Sequence, residues 1–78
     1  MADKPLFLTR HARNKRRRWN VDINDIQLAL QDPEKQAPAM NNRVNYWRRW
    51  RGVWLRVTAV EEAQRVVIVT ITPRKGPD

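Results

Sequence analysis

The chain has 78 residues, a formal net charge of +8 and a sequence pI of about 11.4. A chain of this length forms one small domain, which buries only about 60% of the surface that its unfolded form exposes. It contains no cysteine and a single histidine, which excludes disulfides and thiolate metal sites and argues against a structural zinc site. We therefore expect neither a metal nor a cofactor.

The hydropathy of the chain argues against a membrane protein. No apolar segment approaches the roughly 20 residues that cross a bilayer. The apolar stretch near the N-terminus, residues 6–8, is too short for a signal peptide. We expect a soluble, cytoplasmic protein with no membrane partner.

The charges are distributed in blocks along the chain. Residues 1–20 carry a net charge of +6 and residues 41–56 one of +5, while the segment between them, 21–40, carries −3. Two basic blocks that both include aromatic residues favour a polyanionic partner, an acidic protein partner, or both. The alternative is a basic surface that only contacts water.

The N-terminal part of the chain predicts a short strand and a helix. The strand covers residues 6–9. The helix runs from Arg10 to Trp19, because this segment is rich in good helix formers and has no β-branched residue. Asn20 is suited to the left-handed conformation that ends a helix.

A second helix is predicted to begin after Asp22, which is a strong N-cap residue. It ends at Asp32, since the residue before Pro33 avoids the helical region. Ile23, Ile26, Leu28, Ala29 and Leu30 supply its apolar face. Residues 34–40 are then expected to form a loop.

Alternating patterns predict three further strands, over residues 43–50, 53–60 and 65–72. Hairpin turns at 51–52 and 61–64 would join them. The last strand is almost entirely apolar, which indicates a position at the centre of the sheet with both faces covered.

These elements predict a single α+β domain over residues 1–78, with an ordered core from 6 to 73 and a flexible tail from 74 to 78. Two N-terminal helices would pack on one face of a small antiparallel sheet, formed by a three-strand meander and the short N-terminal strand. The other face would expose arginines and tryptophans.

His11 is the first candidate for chemistry, because it lies within the densest run of cations in the chain. Histidine is the side chain best suited to move a proton at neutral pH. In a metal-free ribonuclease, such a group takes the proton of the 2′-hydroxyl or protonates the leaving 5′-oxygen, and nearby cations stabilise the phosphorane. The alternative is a capping or surface histidine that binds backbone.

The cations around His11 are Arg13, Lys15, Arg16, Arg17 and Arg18. Like charges this close destabilise a helix unless a partner offsets them, which favours phosphate binding over a merely solvated helix face.

The segment 46–56 holds three of the four tryptophans, interleaved with arginines. Strand alternation places Trp47, Arg49 and Arg51 on one face. Such interleaving is typical of surfaces that hold single-stranded nucleic acid. The alternative is that Tyr46 and Trp50, on the opposite face, belong to the core and that only Trp47 is displayed.

Arg56 lies inside an apolar strand, where an arginine needs a partner. A phosphate is one candidate, and the carboxylate of Asp22 or Asp25 is the other.

Several of these residues together resemble a known group of proteins. The matching features are Thr9-Arg10-His11-Ala12, Lys15 four residues after the histidine, Asn20-Val21-Asp22 opening a helix that ends at Asp32-Pro33, Arg56-Val57, and Val69-Thr70. The pattern, which covers roughly residues 6–73, resembles small bacterial domains of unknown function related to the RelE and ParE toxins, within the barnase–colicin–RelE ribonuclease fold.

The resemblance implies a RelE/ParE-like fold and a toxin-like, metal-independent endoribonuclease. His11, Lys15 and Arg56 would be its catalytic residues. Trp19 stands where the family places an arginine, so Arg17 or Arg18 would have to supply that charge. RNA would be held by the nucleic-acid-binding set, which is Arg13, Arg16, Arg17, Arg18, Trp47, Arg49 and Arg51, and an acidic antitoxin would restrain the activity.

Two other functions remain open at this point. One is a catalytically inactive module that binds RNA or DNA by charge and stacking. The other is a protein-interaction domain whose basic face docks an acidic partner.

Overall fold

The computed structural model describes residues 4–76, which form two helices and a five-stranded sheet. The fold is α+β, as predicted. In chain order the elements are β1 (Leu6–Leu8), α1 (Arg10–Trp19), α2 (Ile23–Gln31), β2 (Lys35–Pro38), β3 (Val44–Trp50), β4 (Val53–Glu61) and β5 (Val66–Arg74).

The sheet has the strand order β1-β5-β4-β3-β2 and is mixed, because β1 pairs with β5 in parallel and all other neighbours are antiparallel. The prediction of a wholly antiparallel sheet built from a meander and one short strand was therefore wrong in part. Residues 35–38 form β2 rather than a loop. A polar edge strand lacks an apolar pattern, since it needs only backbone pairing on one side, and an edge position tolerates Pro38.

The apolar strand β5 does not occupy the centre of the sheet, contrary to the prediction. It lies between β1 and β4, and β4 is central. Val66, Ile68 and Ile71 face the helices and are buried, whereas Val67 is only half-buried on the other side. β5 also continues through Arg74, which pairs with Trp54, so the expected tail begins later than position 74. Residues 77 and 78 of that tail lie outside the described residues.

Both helices of the described chain have the predicted bounds, and three of their four ends are capped by a side chain or by a left-handed residue. The Thr9 hydroxyl accepts a hydrogen bond from the Ala12 N–H at the start of α1. Asn20 ends α1 with a φ of 55°, as predicted. Asp22 caps α2 by accepting from the Asn24 N–H. Neither helix has the length and apolarity needed to span a bilayer.

The core lies between the helices and one face of the sheet. Ala12 is the only residue of α1 that is fully buried, and α2 contributes Ile26, Ala29 and Leu30. They pack against the inward residues of β4 and β5, which are Leu55, Val57, Ala59, Val66, Ile68 and Ile71. No described element covers the opposite face of the sheet.

Two hairpin turns lie at opposite ends of that face. Arg51 and Gly52 have φ values of 50° and 80°, which is the backbone of a tight type I′ turn between β3 and β4. Arg51 therefore leaves the alternation of β3. The second turn is closed by the Glu62 N–H, which donates to the Arg65 carbonyl.

Candidate nucleic-acid interface

The sheet face that the helices leave open is the main candidate for a functional surface. Strand pairing and alternation assign its residues, because side chains directly opposite each other in a ladder point to the same side. We call this surface the uncovered face. It consists of Phe7, Lys35, Ala37, Asn45, Trp47, Arg49, Trp54, Arg56, Thr58, Val60, Val67, Thr70, Thr72 and Arg74.

These residues form four rows across the strands. One row holds Arg49, Trp54 and Arg74, and the next holds Lys35, Trp47, Arg56 and Thr72. The third row, Ala37-Asn45-Thr58-Thr70, is mostly polar. The fourth row, Phe7-Val67-Val60, is apolar. The rows contain four cations and no carboxylate, so the face carries a concentrated positive charge at one end.

Guanidinium groups lie over aromatic rings on this face. The Cζ atom of Arg49 is 4.9 Å from the centre of the Trp54 ring, and that of Arg56 is 5.9 Å from the Trp47 ring. Stacked guanidinium groups and aromatic rings are the surfaces on which unpaired bases stack.

Arg56 lies at the centre of the uncovered face and lacks a carboxylate partner among the described residues. Its Nε is buried and forms no hydrogen bond. Burial lowers the pKa of Arg56 below its ordinary value, and the charge of Arg74 lowers it further. An anion bound by the Arg56 guanidinium would therefore offset the repulsion from Arg74.

Neither of the carboxylates considered for Arg56 contacts it. Asp22 caps α2, and the Oδ2 of Asp25 accepts a hydrogen bond from Trp50 Nε1 at 3.0 Å. Both residues belong to the helical layer, on the other side of the sheet. The other predicted partner of Arg56, a phosphate, stays a prediction.

The segment 46–51 is divided between the two sides of the sheet. Tyr46 and Trp50 pack against the core, as the alternative interpretation held. Trp47 does lie on the uncovered face, but it is only 6% exposed, so its ring is not displayed as expected. Arg51 does not share this face, because the turn carries its guanidinium over the Trp50 ring, with Cζ 4.7 Å from the ring centre.

His11 lies in the first turn of α1 and is exposed. Its Nε2 is 3.0 Å from the Thr70 hydroxyl oxygen, and the direction of this hydrogen bond depends on the tautomer. The contact is to a side chain of the polar row and not to backbone. His11 therefore stands at the rim of the uncovered face.

Of the three predicted catalytic residues, His11 and Arg56 lie near each other, and Lys15 lies further away. Thr70, the partner of His11, is a diagonal neighbour of Arg56 across the β4–β5 ladder, a relation that places the two residues roughly 7–8 Å apart, with their Cβ atoms somewhat closer. A phosphodiester between them could reach both groups. Lys15 lies four residues further along α1, about 6 Å in rise, and is half-buried.

The remaining basic residues of α1 are Arg13, Arg16, Arg17 and Arg18, and all of them are exposed. The last three lie in the final turn of the helix, where cations interact favourably with the helix dipole. The helix thus tolerates its charge without an acidic partner and presents it to the solvent beside the rim that His11 occupies.

A cavity of about 240 Å³ lies on the helical side, between α2 and the β3–β4 hairpin. Its lining consists of Asp25, Leu28, Arg48, Arg49, Trp50 and Leu55. Within residues 4–76, no three histidine, aspartate or glutamate side chains gather into a set that could hold a metal ion.

Most residues of the interface were not singled out from the sequence, and three of them make contacts that matter here. Trp54 is half-buried beside Arg49, Thr70 binds His11, and Phe7 is 47% exposed at the apolar end of the face. The alternation of β4 already placed Trp54 with Arg56. The sequence does not show that Arg49 lies beside Trp54 or that Val67 lies beside Phe7. These neighbours follow only from the pairing of β3 with β4 and of β1 with β5.

Comparison of the chain with protein-family models, with curated proteins and with solved structures finds no match.

Proposed function

We propose that the protein binds single-stranded RNA on the uncovered face. The observation that carries this proposal is Arg56, a central arginine with a buried, unsatisfied Nε on a face whose rows hold four cations and no carboxylate. Phosphate groups would satisfy these cations, and this charge term supplies most of the affinity in nucleic-acid binding. The exposed arginines of α1 would extend the same positive surface around the rim.

Two features favour an RNA strand over an acidic protein. Arg49 stacked on Trp54 offers the flat surface that unpaired bases use. The polar row, which follows the Arg56 row, contains hydroxyl and amide groups. The buried Thr58 hydroxyl donates to Asn45 Oδ1 at 2.6 Å, while Asn45 and Thr70 are partly exposed. Such groups can bind a 2′-hydroxyl, which only RNA presents.

A matched pair of variants tests this proposal. Arg49→Gln and Arg51→Gln each remove one charge from neighbouring positions, but only Arg49 lies on the uncovered face. The dissociation constant for a labelled single-stranded RNA should be measured from low to moderate salt. We expect Arg49→Gln to weaken binding and to reduce the salt slope by about 0.7, the value for one phosphate contact on a single strand. Arg51→Gln should retain the wild-type slope.

Equal effects of the two variants would contradict binding at this face. An affinity that does not change with salt would contradict the proposal as a whole. Tight binding of an acidic protein with no binding of RNA or DNA would instead favour the interaction domain.

A second candidate function, RNA cleavage, is supported by the contact between His11 and Thr70. We propose it in the form that the family resemblance implies, a metal-independent, toxin-like endoribonuclease restrained by an acidic antitoxin. His11 would move the proton of the 2′-hydroxyl or of the leaving oxygen, and Arg56 would stabilise the phosphorane. Lys15 would assist from the next turn of α1.

Cleavage is tested by incubating the protein with labelled RNA and with a matching 2′-deoxy strand, with a chelator present. The expected products end in a 2′,3′-cyclic phosphate and come from the RNA alone. His11→Ala should abolish cleavage, while Asn14→Ala, an exposed change on the same helix, should not. If the wild-type protein binds RNA tightly but leaves it intact, cleavage is refuted. The protein would then be a catalytically inactive module that binds RNA.

A further inference from the structure

The end of the uncovered face remote from Arg49 carries a second pair of a guanidinium and an aromatic ring. The Cζ atom of Arg65 is 4.7 Å from the centre of the Phe7 ring. Phe7 is 47% exposed, and it pairs with Val67, which in turn pairs with Val60. A large exposed aromatic residue beside two outward valines is an apolar platform on an otherwise polar face.

The charge around this platform differs from that at the other end. Arg65 Nε donates to Glu62 Oε1 at 2.8 Å, so its charge is already paired. Lys4 is likewise paired with Glu61. A phosphate therefore gains little here, whereas a base, which is uncharged and flat, can stack on the ring or on the guanidinium.

The two platforms lie at opposite ends of one continuous surface. Along β4, the distance from Trp54 to Val60 covers six residue steps, about 20 Å at the rise of a β-strand. Arg56 and the polar row lie between them. One RNA strand that lies along this face would meet a stacking platform at each end and the unsatisfied arginine between them.

We propose that the uncovered face holds a single-stranded RNA segment by two base-stacking platforms, Trp54 with Arg49 and Phe7 with Arg65, so that tight binding requires an RNA long enough to reach both. This inference rests on the proposed RNA binding and adds a second platform and a length requirement. Once one platform is occupied, binding at the other becomes intramolecular, which raises the affinity beyond that of either site alone.

The test is a series of oligoadenylates from two to ten nucleotides, with dissociation constants measured by anisotropy competition. For the wild type, we expect a steep gain in affinity at the length that first spans about 20 Å, followed by a plateau. Phe7→Leu keeps an apolar side chain beside Val67 but removes the ring. It should weaken the binding of long oligomers by about 5-fold to 150-fold, the loss of one stacked base, and leave short oligomers unaffected.

Two control variants make the result specific. Phe7→Tyr retains the ring and should restore the gain with length. Trp19→Leu also removes an exposed ring that an arginine covers, since Arg18 Cζ is 5.5 Å from the centre of the Trp19 ring. Trp19 lies at the end of α1, away from the uncovered face. The Trp19→Leu variant should behave as wild type.

The possible failures are distinguishable. If RNA binds but Phe7→Leu matches the wild type at every length, the second platform is refuted and the proposed function stands. If affinity grows smoothly with length and no step is found, the length requirement is refuted. If the wild type binds no oligomer at any length, the proposed function fails, and the two-platform inference fails with it.

Discussion

Replacing Arg56 by methionine should stabilise the protein while weakening its binding of RNA. In the folded state, the buried Nε of Arg56 has no hydrogen-bond partner, and Arg74 repels its charge. An arginine in an unfavourable environment is typical of a binding site, where function comes at a cost in stability. Methionine preserves much of the length of the side chain and removes both the donor and the charge.

The size of the effect follows from the contacts of Arg56. Removing a buried unsatisfied donor should gain about 1–3 kcal/mol. The lost interaction with the Trp47 ring costs about 0.5–1 kcal/mol, and a contact between the methionine sulfur and the ring recovers about the same amount. These contributions leave a net increase of about 1–3 kcal/mol in the free energy of unfolding, and each kcal/mol raises the Tm of a domain of this size by roughly 4–8 °C.

Thermal unfolding followed by circular dichroism measures this change, and Arg48→Met is the matched control. Arg48 is on the opposite side of the sheet and donates to the backbone carbonyl and the carboxylate of Asp32 at 2.7 and 3.4 Å. Its replacement should lower the free energy of unfolding by about 1 kcal/mol. If Arg56→Met destabilises the protein as much as Arg48→Met, the reasoning about the unsatisfied Nε is refuted.

Three further predictions concern stability, and thermal or urea unfolding checks each of them. Thr9→Ala should cost about 1 kcal/mol, because it removes the cap of α1, and Thr9→Ser should retain most of the stability. Asn20→Ala should cost roughly 1–2 kcal/mol, because Asn20 has a φ of 55°, whereas Asn20→Gly should be close to wild type. The hydrogen bond from Lys4, followed by its charge, holds the pKa of Glu61 below its ordinary value of 4.5. The folded state therefore favours the ionised carboxylate, and wild type should exceed Glu61→Gln in stability at neutral pH. This advantage should disappear as the pH falls through the lowered pKa of the folded state, and an advantage that persists at pH 2 would contradict the assignment.

The candidate interface could be predicted from the sequence only in part. The alternation of β3 places Trp47 and Arg49 on one side, and this holds in the structure. That Arg56 of β4 shares this side follows only from the pairing of the two strands. Burial of Trp47 could not be predicted, because it depends on the residues of neighbouring strands that surround the ring. The departure of Arg51 from the face results from the turn at Arg51-Gly52, whose backbone interrupts the alternation.

The amino-acid sequence by itself determined the local elements of this protein. Both helices end where Asn20 and Asp32-Pro33 require, since capping and proline sterics act over one or two residues. Only the tertiary structure decided the position of β5 beside β1, the strand at 35–38, and the contact between His11 and Thr70, which are 59 residues apart. Pairing between distant segments depends on the register and packing of the whole sheet, and a local pattern of residues does not contain that information.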